Sequence, residues 1–94
     1  MKHHIIVKYT PDVTDKKALL EKIKALYSGA AQIPGVHGVE FKENCIAREN
    51  RYDLMIVLDM DEAALPNWDA SEIHHRWKDD YGCLVAKKAI FDCE

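Results

Sequence analysis

The sequence predicts an α+β protein in which two β-α-β halves contribute to one four-stranded antiparallel sheet. Three observations carry that prediction. Four segments show the two-residue alternation or β-branched composition of strands. Two segments show the three-to-four-residue apolar spacing of amphipathic helices. The order along the chain is β-α-β-β-α-β, with Gly, Pro and Asp at the junctions. The 94 residues fit one domain over 1–94 and leave little room for a second. A domain of this size buries only about 60–65% of its unfolded surface, so pairing with another copy is a common route to stability.

The first strand runs from His3 to Tyr9. One parity holds His3, Ile5, Val7 and Tyr9 and is expected to face the core; His4, Ile6 and Lys8 occupy the other. Thr10-Pro11-Asp12 ends the strand, and Thr14 is the expected N-cap of the first helix. Leu19, Leu20, Ile23, Leu26 and Tyr27 then form one apolar stripe, with the lysines outside it and Gly29 as the stop. After the Ile33-Pro34-Gly35 break, Val36 to Glu43 alternates as a second strand with Val39 and Phe41 turned inward. Asn44 to Arg51 is a polar connection.

Tyr52 to Met60 is the clearest strand, apolar on one parity and carrying Met55 and Val57 on the other. A short helix starting at Asp61 is expected to be disrupted by Pro66, and a second piece runs from about Ser71 to Asp80, with Ile73, Trp77 and Tyr81 on one face. Gly82 closes it, and Cys83 to Asp92 forms the last strand, with Cys83 packed in its apolar start. This order gives the ferredoxin-like arrangement, with both helices on one side of the sheet. Met55, Val57, Val39 and Phe41 on an uncovered face would expose a large apolar area, which predicts a homodimer packed sheet to sheet.

Composition removes several classes of function. Thirteen basic against sixteen acidic side chains give a net charge of −3, which opposes binding to a phosphate backbone. The lysines at 16, 17, 22 and 24 are interrupted by Asp15 and Glu21 and read as a solvated helix face. Cys45, Cys83 and Cys93 are odd in number and lack a C-x-x-C pair, so neither a disulfide framework nor a zinc site is expected. No apolar run approaches the ~18 residues of a membrane span. Reduced thiols and a start that becomes charged again at Lys8 point to a cytoplasmic protein.

Lys2-His3-His4-Ile5-Ile6-Val7-Lys8-Tyr9, followed by Pro11-Asp12-Val13-Thr14, resembles the opening of stress-responsive A/B barrel (Dabb) proteins. Ile33-Pro34-Gly35-Val36 resembles that family's I-P-G-V turn, and Ile90-Phe91-Asp92 its closing strand. The resemblance covers nearly the whole chain. It implies a ferredoxin-like protomer that dimerises into an α/β barrel and uses no cofactor. The family includes stress-induced proteins without known catalysis and a plant polyketide cyclase, whose pocket lies between helices and sheet. By position, the cyclase's first-strand histidine falls on His3 and its helical histidine on His74, within Ser71-Glu72-Ile73-His74. Trp68 stands where that pocket has a tyrosine, and Leu54 where it has a third-strand histidine.

Two readings of function follow. In the first, the homodimer binds a small apolar or aromatic molecule between helices and sheet, in a pocket lined by Tyr27, Leu54, Ile56, Trp68 and Trp77, without catalysis. In the second, a cofactor-independent enzyme abstracts a proton beside a carbonyl. His74 is then the general base, His3 holds or polarises the substrate, and Tyr27 donates to an oxygen. Cofactor-free monooxygenases of the same barrel architecture are a variant of the second reading. A bland alternative stands beside both: the two histidines bond backbone groups near strand and helix ends. His3-His4 and His74-His75 are adjacent pairs whose side chains diverge, which argues against a metal centre.

Overall fold

The computed structural model describes residues 1–94. Its strands are β1 (Lys2–Tyr9), β2 (Val36–Glu43), β3 (Leu54–Met60) and β4 (Val85–Cys93). Its helices are α1 (Lys16–Tyr27), α2 (Leu65–Asp69) and α3 (Glu72–Tyr81), with short 3₁₀ turns between elements. The strands form one sheet in the order β2-β3-β1-β4, and every neighbouring pair is antiparallel. This is the α+β ferredoxin-like architecture expected from the sequence, with β3 and β1 central and β2 and β4 at the edges.

On β1, His3, Ile5, Val7 and Tyr9 are all buried, while the intervening residues are half-buried, as the alternation requires. Opposite them, Leu19, Leu20, Ile23, Leu26 and Tyr27 of α1 are buried to the last residue. These two stripes are the centre of a continuous apolar core that also takes in Leu54, Ile56, Leu58, Met60 and Trp68. Full burial of each such aliphatic side chain is worth ~1.5–3 kcal/mol relative to exposure. None of the helices is long and apolar enough to cross a membrane.

Four local expectations need correction. The N-cap of α1 is Asp15, not Thr14: its side chain accepts from the Ala18 N–H at 3.0 Å. A carboxylate there accepts from an orphan N–H, as a threonine would, and adds a negative charge at the positive end of the helix dipole. Pro66 begins α2 rather than disrupting it, since it sits in the first turn, where its missing N–H costs nothing. Cys83 lies exposed in the 3₁₀ turn Gly82–Leu84 and not in a strand. Val39 and Phe41 pair with Leu58 and Ile56 of the helix-covered face, so they belong to the inner layer and not to the uncovered one.

The Ile33-Pro34-Gly35 break depends on its glycine. Gly35 has φ +84°, and a Cβ there would stand 2.6 Å from the Cβ of Ala64. This close approach seats the entrance of β2 against the turn preceding α2.

Candidate functional site

The pairing of β1 with the edge strand β4 places His3 directly opposite Asp92. Their side chains meet at 2.5 Å between Nδ1 and Oδ1. His3 is the one polar residue among the buried set, and the carboxylate of Asp92 supplies the partner that its burial demands. Across the layer, Ser71 caps α3 by accepting from the His74 N–H at 3.1 Å, and its hydroxyl donates to the Trp68 carbonyl at 2.7 Å. That double use of Ser71 locks α2 against α3. It fixes His74 with Nδ1 2.9 Å from the Asp69 carbonyl and its ring 5.2 Å from that of Trp68.

These contacts set the tautomers. A carbonyl oxygen only accepts, so the Nδ1 of His74 carries the proton and the neutral ring keeps its lone pair on Nε2. The same logic applies to His3 against the carboxylate of Asp92. Each ring therefore has one nitrogen committed to the scaffold and one left to act.

His3, His74, Trp68 and Trp77 line one cavity of about 260 Å³ between α2–α3 and the β1–β4 edge, together with Ile5, Leu65, Asp69, Lys88, Ile90 and Asp92. The volume suits a small molecule and is just below the usual range for drug-sized ligands. Four of the seven residues expected at the site are thus brought together. Tyr27, Leu54 and Ile56 are not on the cavity wall, because α1 and the central strands close over them completely. Tyr27 sits behind the wall, with its ring centroid 5.6 Å from Trp68 and 5.7 Å from Trp77. Its hydroxyl is buried without a partner, and burial alone pushes its pKa far up. The phenol is held neutral but does not reach the cavity.

Sequence reasoning missed Asp69, Lys88, Ile90 and Asp92. Asp69 acts through its carbonyl, which no side-chain pattern reveals. The other three share one parity of β4, and that parity was available in the sequence. Only the antiparallel register with β1 shows that it faces His3.

No known family profile matches the chain, and no curated protein is similar to it. Solved structures are similar in fold. A dimeric protein of unknown function with a ferredoxin-like fold from Bacteroides fragilis superposes with a TM-score of 0.78 at 15% identity, covering 99% of this chain and 93% of its own. A Dabb-family protein with a ferredoxin-like fold from Mesorhizobium loti gives a TM-score of 0.73 at 18% identity, covering 99% and 93%. The hydroxynitrile lyase of Passiflora edulis gives 0.72 at 12% identity, covering 96% and 87%. The chain therefore has the ferredoxin-like fold that a Dabb-family protein also has.

Proposed function

We propose that this chain is a homodimeric protein of the Dabb type that binds a small apolar or aromatic molecule in the cavity between α2–α3 and the β1–β4 edge. One observation carries the reading. Two histidines from opposite ends of the sequence converge with two tryptophans on a single small cavity. Half of the lining is apolar and the other half supplies polar groups, two of them histidines fixed by hydrogen bonds; apolar walls with oriented polar groups are the general form of a small-molecule site. Titration with a small aromatic ketone such as acetophenone tests it, with the fluorescence of Trp68 and Trp77 as the signal. Saturable quenching that His74→Trp abolishes is the expected result; a linear, unsaturable response up to millimolar ketone rejects the site.

The homodimer rests on the uncovered face of the sheet. There Phe91, 61% exposed, joins half-buried Ile6 and Met55, while Val57, expected to be exposed, is already buried within the protomer by its neighbours on the sheet. A self-complementary two-fold contact buries such a face at no cost in new sequence. Two of the neighbours of the same fold are described as dimeric, from Bacteroides fragilis and Thermobifida fusca. Sedimentation at micromolar concentration is expected to give twice the 10.8 kDa protomer mass.

A second reading is favoured by the fixed tautomers. With Nδ1 of His74 tied to the Asp69 carbonyl, Nε2 is a ready proton acceptor. The reaction is then proton abstraction beside a carbonyl, without a cofactor. That a protein of similar fold is a hydroxynitrile lyase supports the fold as a host for catalysis. Wash-in of deuterium from D₂O at the carbon beside a bound ketone's carbonyl, lost in His74→Ala, is the result this reading requires. Unchanged exchange in that variant removes His74 as the base.

A further inference from the structure

Beside the histidine cavity lies a second depression, of about 390 Å³, along the seam of α3 and β4. Two lysines line it from the helix-covered side, Lys78 of α3 and Lys88 of β4; Lys87, opposite Lys8, belongs to the other parity and faces the uncovered side of the sheet. Neither Lys78 nor Lys88 takes part in an ion pair, although the protein as a whole carries a net charge of −3. Trp77 and Lys88 line both depressions, so the two adjoin. The opposite end of the histidine cavity carries the carboxylate of Asp92, paired with His3.

We propose that the ligand of this site is amphiphilic and anionic. Its apolar part lies in the histidine cavity, and its carboxylate or phosphate is held by Lys78 and Lys88. This rests on the small-molecule reading above and gives that ligand a chemical class and an orientation. The register of β4 supplies the ruler. Lys88, Ile90 and Asp92 pair with Val7, Ile5 and His3, so all three face the helices in a row. At ~3.4 Å per residue the row spans about 14 Å from the cationic to the anionic end. An anion at the His3 end meets Asp92; at the Lys88 end it meets uncompensated positive charge. A chain or ring laid over Ile90 and Trp77 connects the two ends, with its far terminus beside His3 and His74.

Calorimetric titration of the full-length protein with four probes tests this: octanoate, octyl phosphate, octanol and inorganic phosphate. Binding of octanoate and octyl phosphate up to about tenfold tighter than octanol is expected at low salt, from two weak exposed charge contacts acting together. The advantage should shrink as salt shortens the screening length. The double variant Lys78→Met/Lys88→Met keeps the apolar stems at exposed positions. In that variant both anions should bind no more tightly than octanol does. The stronger of the two anions identifies the headgroup. Equal binding of octanol and the anions by the unaltered protein overturns the lysine assignment while leaving the apolar cavity intact. Inorganic phosphate binding as tightly as octyl phosphate overturns the continuity of groove and cavity. Failure of all four probes to bind overturns the cavity reading together with this one.

Discussion

The two faces of the sheet are built from the same strands yet obey different rules. Along β1, one parity enters a core so tight that Val7 is wholly excluded from solvent and Ile5 nearly so. The other parity, Lys2, His4, Ile6 and Lys8, is half-buried. The inner face is closed by α1, α2 and α3, and its cross-strand partners are apolar except at its edges, where Glu43 stands opposite Leu54 on the β2 side and His3, Lys88 and Asp92 meet on the β4 side. The outer face mixes Ile6, Val57 and Phe91 with Lys2, Lys42, Glu40 and Asp59, and its ladder includes a salt bridge between Lys2 and Asp59 at 3.1 Å. Continuous apolar contact fixes the fold inside; outside, an apolar centre with a charged rim has the composition of a protein contact. The functional polar groups lie where the inner rule breaks down, at the edge strand.

That contrast is sharpest at Trp68. It is the largest fully buried side chain and packs against both Tyr27 and His74. Trp68→Ala is expected to lower unfolding stability by ~3–5 kcal/mol in a denaturant titration, because removal of a large core aromatic leaves a cavity that the helices cannot refill. Phe91→Asp tests the other face. On the proposed homodimer it weakens association about a hundredfold, a typical price for a buried aromatic anchor replaced by a charge. The unfolding midpoint should lose its dependence on protein concentration. A Phe91→Asp protein that still sediments at twice the protomer mass places the interface elsewhere.

The reach of the sequence differed between these faces for a physical reason. The parity of β1 and the stripe of α1 were legible because central elements bury one full period of side chains, and the pattern is a direct image of that burial. Edge strands bury little on either face: β4 is exposed over most of its length, so its alternation carried no comparable signal. Hence Asp92 and Lys88 escaped notice, and Phe41 was assigned to both sides of the sheet. His3 and His74 were legible as candidates because each sat on a core-facing parity. The bond from His74 to the Asp69 carbonyl was not, since it depends on how α2 abuts α3. Tyr27, Leu54 and Ile56 were correctly read as inward-facing, but inward meant the packed core and not the cavity wall.

A smaller effect is expected at the far end of β1 from His3. Desolvation raises the pKa of Asp53, but the hydrogen bonds from Lys16 and the Tyr9 N–H, each 2.8 Å, and the charges of Lys16 and Lys8 outweigh it and hold the carboxyl below its ordinary value. A carboxyl with a lowered native pKa stabilises the fold above its unfolded pKa of ~3.9, and that contribution is lost as pH falls through the native value. Asp53→Asn should cost ~1 kcal/mol at neutral pH, the half-exposed lysine limiting the loss, and should flatten the acid limb of stability against pH. An unchanged acid limb would show that another carboxylate governs it.

The smallest effect at neutral pH belongs to Tyr27, where the inner face breaks its own rule by burying a hydroxyl with no partner. Tyr27→Phe removes that group while keeping the ring contacts to Phe41, Trp68 and Trp77. An unpaired buried polar group opposes folding, so the variant is expected to be as stable as the parent or more stable by up to ~1 kcal/mol at pH 7. Alkali enlarges the difference. The unfolded chain ionises its tyrosines near pH ~10, whereas burial holds Tyr27 protonated well above that. Tyr9 is likewise pushed up to about 12 by burial and by the nearby Asp53 and Glu43. For a group whose native pKa is raised, the stabilising contribution is complete below the unfolded pKa and is lost as pH climbs toward the native one. The parent protein should therefore lose stability above pH ~10 from both residues, and Tyr27→Phe from Tyr9 alone. Urea midpoints measured from pH 8 to 11 should diverge in favour of the variant; parallel curves would mean that Tyr27 finds a proton acceptor in solution, and that the hydroxyl opens toward the cavity after all.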